Sequence, residues 1–377
     1  MRQRLNNLFG SRSKPDSISL PWQSVRHQPV YYENKHRVRI GRDVLHSQFL
    51  RLEELSETID VCTLSDALLK YRSDNLLNVI VPQFAAVIYD IIGNLRVMSM
   101  YFPIVEHLSA VEGQQFHRSV QELTQNPNFG LRIWNAYGGE ITGAAPPSMA
   151  YLVAGHIVEI FFYRPDLRER FFSTSRYFDL YMDVTSYHQA GGVAGGCYDP
   201  ATGSIKLVAS RLFEGFYGEA PGVAPFIHEF GHMLDAFDIR TATMGFGTGL
   251  LPGMRETDGE LFSAEARTLF LQGKRLELER YEKAREERPG EQDIPVGHPY
   301  VFTNDGEFIA GYLEMFFRNP HYFYQLNPTL FKGFVVLFNQ DPRNYWKEDF
   351  DYYIRQNRDV YLLHRRDIGR PGLRSFA

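Results

Sequence analysis

His228, Glu229 and His232 stand inside the stretch "APFIHEFGHMLDAF" (residues 224–237), among Phe, Ile, Met and Leu. Two imidazoles four residues apart project from one face of an α-helix, one turn above the other. At that separation both can reach a single tetrahedral ion at about 2.0–2.1 Å, the arrangement of an H-E-x-x-H zinc site. The Glu beside the first His then serves as general base for a metal-activated water. The competing reading is two unrelated histidines on a solvated face, and the apolar back of the same helix argues against it. Phe226, Phe230, Met233 and Phe237 recur at three-and-four spacing and form that back. Pro225 suits the first helical turn, where a missing N–H costs nothing.

A catalytic zinc takes three protein ligands, so a third must come from elsewhere. Asp235 extends the polar face by a turn, but the rise makes it hard to share one ion with both rings. It is better placed as an outer support of the site or as a tether for the following loop. Glu256, Glu260, Glu265, Glu307 and Glu314 are the remaining candidates. In "TNDGEFIAGYLEMFFRNP", Glu307, Gly311 and Glu314 form one narrow polar stripe on a helix that is otherwise apolar. A carboxylate buried in such a helix needs a partner, and a zinc ion would be one. Gly311 would then let this helix pack closely against Gly231 of the first. Glu314 is placed to accept a hydrogen bond from a ligand imidazole. Glu307 also has a plainer reading, as the capping-box partner of Asn304.

Around these residues the chain changes texture. Residues 1–45 form a basic, polar arm, with a short hairpin expected in "PVYYENKHRVRIG". From 46 to about 125 the pattern is helical, "ITGAAPPSMA" at 141–150 reads as a hinge, and an apolar helix follows. The domains expected are therefore the arm 1–45, a mainly helical region 46–165, a catalytic domain 166–365 and a tail 366–377. Past residue 170, "RYFDLYMDVTS" alternates like a strand, and "GGVAGGCYDPATGSIKLVAS" reads as a hairpin turning at 199–203. The Gly-rich loop 241–254, "TATMGFGTGLLPGM", is expected to be a mobile rim of the cleft. A helix from about 259, a charge run "LELERYEKAREER" read as a solvated face, and helices at 304–318 and around 328–339 complete the domain. The fold class expected is α+β: a small sheet packed on the HExxH helix and the Glu-ligand helix, preceded by a mainly helical region.

Composition narrows the function classes. A net charge of −5 argues against nucleic acid as the main partner. Cys62 and Cys197 are the two cysteines, far apart, which gives neither a disulfide framework nor a CxxC zinc ribbon. The first residues are basic without an apolar run, unlike a signal peptide. The most apolar stretches, 76–93 and 148–163, are interrupted by polar residues and read as buried helices, not membrane spans. The expectation is a cytoplasmic protein with no membrane partner.

"HEFGHMLD", "YVFTNDGEF", "LEMFFRNP" and "LFNQDP", in that order, resemble the catalytic domain of the Mlc titration factor A (MtfA) family of zinc peptidases over roughly residues 170–345. The paired elements are also similar to those of lethal-factor-like gluzincins. The resemblance implies a zincin-like fold and one Zn²⁺ per chain, held by His228, His232 and Glu307, with Glu229 as catalytic base. It also implies that Tyr300, seven residues before the ligand Glu, assists the transition state. Residues 1–165 have no counterpart in it.

The function expected is hydrolysis of a peptide or protein substrate by metal-activated water. The strand at 204–209 is expected to be the edge along which an extended peptide pairs, with Ser204, Ile205, Lys206 and Leu207 as its contacts. A different class of function is sequestration of a protein regulator, with peptidase activity secondary. A purely structural metal site, or none, is a third reading.

Overall fold

The computed structural model describes residue 102 and residues 104–134, 147–181, 184–192, 195–208, 211–212, 223–287, 289–290, 292–346, 349–363 and 368–373. The arm 1–45, its expected hairpin and the helical pattern up to residue 101 lie outside these residues, as do 135–140 and, of the expected hinge, 141–146.

The architecture is α+β. Strands β1 (Phe129–Trp134), β2 (Arg176–Tyr181), β3 (Gly196–Asp199) and β4 (Ser204–Val208) form one mixed sheet in the order β1-β2-β4-β3. β1 and β4 both run parallel to β2, and β3 returns antiparallel to β4 with Asp199 opposite Ser204. The hairpin and its turn thus fall where the Asp-Pro and Gly residues place them, but the strand order corrects an expectation. β4 is paired on both sides and is not an edge; the edge on this side of the sheet is β3. Ser204, Ile205 and Leu207 are buried, and Lys206 bonds Asp199 at 2.8 Å, so none of the four offers a free strand to a peptide. The sheet also crosses the boundary drawn at residue 165, because β1 belongs to the expected helical region.

Helices α1 (Ile104–His107), α2 (Ala110–Thr124), α3 (Pro147–Phe161), α4 (Pro165–Phe171) and α5 (Val184–Gln189) precede or thread the sheet. The 12-residue helix α6 (Pro225–Ala236) carries the histidine pair, with Pro225 in its first turn. Its apolar back is buried as the spacing requires: Phe226, Phe230, Met233 and Phe237 are all in the core. A two-stranded ribbon, β5 (Phe237–Asp238) with β6 (Thr243–Met244), closes the loop after it. Then follow α7 (Ala264–Glu286), a 3₁₀ turn at Pro299–Phe302, α8 (Asp305–Arg318), α9 (Pro320–Leu326), α10 (Pro328–Phe338) and α11 (Asp351–Leu363). Among the described residues no helix is long and apolar enough to cross a membrane.

The loop 241–254 departs from the mobile rim expected. Leu250, Leu251 and Met254 are buried, and Asp235 accepts hydrogen bonds from the Thr248 and Gly249 N–H groups at 2.8 and 2.7 Å. A Cβ at Gly247 would collide with the Asp235 carboxylate, so this glycine is there for close approach.

Helices α6 and α8 pack side by side, and their contact sets the site. A Cβ on Gly231 would lie 2.7 Å from Ala310 Cα, which no real contact tolerates. Gly231 therefore faces Ala310, not Gly311 as the polar stripe suggested; Gly311 instead makes room for Val301 of the 3₁₀ turn. α8 is anchored at its start by a buried ion pair, Asp305 to Lys274 of α7 at 2.7 Å. The charge run in α7 is only partly a solvated face, because Glu277, Tyr281 and Ala284 within it are fully or almost fully buried.

Gly231→Ala should force the two helices apart, and overpacking of this kind costs about 1–3 kcal/mol. Urea denaturation should show a midpoint lowered accordingly; an unchanged midpoint would mean that the contact is softer than described.

Candidate metal centre

Each ligand candidate is delivered by a rigid element. His228 and His232 leave α6 on the same face, with ring centroids 5.1 Å apart and planes at 73°. Asn304 caps α8 by accepting the Glu307 backbone N–H at 3.0 Å. The cap uses only that N–H, and the Glu307 carboxylate turns inward. Its Oε2 lies 3.1 Å from His228 Nε2 and 3.3 Å from His232 Nε2. The capping and ligand readings of Glu307 are thus compatible, since one uses its backbone and the other its side chain.

These distances test whether a metal fits. Tetrahedral zinc bonded at about 2.0–2.1 Å separates its ligand atoms by about 3.3 Å. The two nitrogen–oxygen separations match that edge length, and the donor atoms of His228, His232 and Glu307 all lie within 4.8 Å of one another. Two imidazole nitrogens and one carboxylate oxygen are a zinc donor set. The other acidic candidates, Glu256, Glu260 and Glu265, are exposed on the surface.

Supporting groups complete the arrangement. Glu314 sends Oε2 to within 3.3 Å of His228 Nδ1, while its Oε1 accepts the Ala224 N–H at 2.6 Å. One carboxylate therefore orients the imidazole and also caps the N-terminus of α6, where a negative charge suits the helix dipole. Glu229 is buried and accepts the Tyr198 N–H of β3 at 2.8 Å, which brings the sheet edge against the site. Tyr300, 54% exposed, donates its hydroxyl to Glu307 Oε1 at 2.7 Å. His298 accepts the Tyr300 N–H at 3.2 Å and so caps the turn that presents the phenol. All of these except His298 line a cavity of about 610 Å³ that also takes in Gly196, Tyr198, Asp235 and Phe246. Asp235 lies at its far end, occupied with loop amides, and serves as a tether.

Charge follows from the packing. Burial opposes a charged His228, but Glu307 and Glu314 on its two nitrogens outweigh this and hold its pKa up to about 10. Burial likewise opposes a charged Glu307, yet the two histidines bring its pKa well below the usual carboxylate range. For Glu229 burial prevails over the neighbouring histidines and raises the pKa, so its carboxylate holds a proton more readily than a solvated one. Tyr300 is raised by burial and by the Glu307 carboxylate, and stays a hydrogen-bond donor.

Sequence reasoning missed the support behind Tyr300. Glu277, fully buried on α7, accepts from Val296 N–H and Asn327 Nδ2 at 2.8 Å each, and from the Tyr312 hydroxyl. Tyr361 holds the Gly297 carbonyl at 2.7 Å. These bonds fix the loop leading into the 3₁₀ turn. The signal was the spacing Gly273, Glu277, Tyr281, Ala284, a buried helical stripe that runs into the charge run. Of the tail, residues 368–373 are docked, with Gly372 N–H on the Phe302 carbonyl at 2.8 Å.

No protein-family model, curated protein or solved structure matches this chain significantly.

A divalent cation on His228 Nε2 must displace the proton held there below about pH 10. Affinity for zinc should therefore rise with pH, by at least about tenfold per unit between about pH 6 and 8. Chelator competition across that range measures it, and a pH-independent affinity would contradict the assigned protonation.

Proposed function

We propose that this chain is a zinc-dependent peptidase of the gluzincin type, similar to the MtfA family. The observation that carries the reading is the convergence of His228, His232 and Glu307 donor atoms within 4.8 Å, with the buried Glu229 between them and the edge strand β3. Zinc held by these three side chains would supply Lewis acidity to a carbonyl and to water.

The remaining work falls to groups of the chain. Glu229 takes the proton of the attacking water, a transfer its raised pKa favours, and passes it to the leaving amine. Tyr300 donates to the oxyanion as charge develops, from a half-exposed ring beside the ligand set. Glu314 keeps the His228 ring oriented. β3 supplies the docking edge. Cys197 pairs inward with Lys206, so Gly196 and Tyr198 direct their backbone groups away from β4 and toward the cavity, where Glu229 takes the Tyr198 N–H and leaves its carbonyl to a peptide. An extended peptide can pair there, which moves the substrate contacts from β4 to β3.

A peptide-library cleavage screen with zinc-loaded wild type and Glu229→Gln side by side tests the activity. Cleavage by wild type that is lost in Glu229→Gln is expected; equal cleavage by both would refute the base. Tyr300→Phe should lower kcat by about 10²–10³ with little change in KM, because its bond to the oxyanion forms only with the charge. Near-wild-type kcat in Tyr300→Phe together with loss in His298→Ala would transfer the role to His298.

A further inference from the structure

Phe246 is 96% exposed, on a loop whose neighbouring residues are held in place. Lone exposed aromatics are ordinary on protein surfaces, so exposure alone carries nothing. Two further observations set this one apart. Phe246 lines the cavity that contains the histidine pair. Its backbone is also pinned on both sides: Gly245 N–H bonds the Ala236 carbonyl at 2.7 Å, and Thr248 and Gly249 are held by Asp235. A ring presented to solvent on a fixed backbone loses little freedom when something covers it.

The cavity has a direction. One wall is α6, lining it from Pro225 to Ala236, a rise of about 16 Å. The other is β3 and the turn residue Pro200, about 13 Å of extended chain. The turn after β3 abuts β6, since a Cβ on Gly203 would lie 3.3 Å from Met244 Cγ. The Pro200 end of the strand and the Ala236 end of the helix therefore meet at Phe246. From the turn bearing His228 and His232 to Ala236 the helix rises about 6–10 Å, equal to two or three residues of extended peptide.

We propose that Phe246 determines specificity by packing on a large apolar side chain of the substrate, two or three residues from the bond that is cut. The assignment rests on the peptidase reading for its substrate class, a peptide lying along β3. Pro200 lines the same cavity and adds apolar surface.

The test separates binding from turnover. Full-length, zinc-loaded Glu229→Gln protein is offered a randomised peptide library, and the retained peptides are read by mass spectrometry. They should be enriched in Phe, Leu or Met at one position. Adding Phe246→Ala should lower affinity for those peptides about tenfold, the scale of one aromatic contact, and leave serine-substituted ones unchanged. Phe246→Leu should keep most of the preference. An unchanged profile in Phe246→Ala, the lack of an apolar preference, or no retained peptide at all would overturn the proposal. Retention with the apolar preference, but no cleavage by the wild type, would refute the peptidase and leave Phe246 its role. Cleavage with an unaltered preference would refute only Phe246.

Discussion

The close approach of two helices at Gly231 and Ala310 is the constraint on which the site depends. It lets a carboxylate from α8 reach a histidine on α6, and it does so twice, through Glu307 and Glu314. Glu229 adds a third carboxylate beside the histidines, in a cavity that Asp235 and Arg211 also line. Three acidic groups around two imidazoles leave local negative charge in a partly buried space, and such charge persists only when it is paired. Without a metal ion, His228 answers this by holding a proton on each nitrogen, with its pKa held up to about 10. A divalent ion would answer it better, since it faces both histidines and Glu307 at once.

The rest of the fold keeps that geometry rigid. Lys274 fixes the first turn of α8 through Asp305, in a pair almost wholly removed from water. Glu277 collects hydrogen bonds from three directions and immobilises the loop before Tyr300. Breaking such a buried network strands a charge, so its members act as a unit. Asp235 does for the loop after α6 what Glu277 does for the loop before α8. The two tethers hold the exposed rings, Phe246 and Tyr300, in fixed places at the cavity.

Much of this was legible in the amino-acid order because it follows from local periodicity. The four-residue spacing of His228 and His232, the apolar back of α6, the Asp-Pro hairpin and the buried stripe of α8 each depend on near neighbours. What stayed hidden depends on long-range pairing. Nothing local tells that β4 lies between β2 and β3, since an alternating strand suits either an edge or an interior position. Gly311 and Gly231 both looked fit for helix contact, but which residue each one meets is fixed by helix rotation and offset. The glycines of 241–254 suggested freedom, while its Leu250, Leu251 and Met254 anchor it in the core. Glu277 was concealed by its charged neighbours, although its place on the buried stripe of α7 could have identified it.

The function proposed for this site requires one ion held by His228, His232 and Glu307. Metal content per chain, measured by elemental mass spectrometry after purification without chelators and equilibration with zinc, tests it most directly. One zinc per chain is expected for the wild type and for Glu229→Gln, and less than about a tenth of that for His228→Ala, His232→Ala and Glu307→Ala, each of which leaves too few ligands. Full zinc content in Glu307→Ala, or none in a folded wild type, would contradict the centre described here.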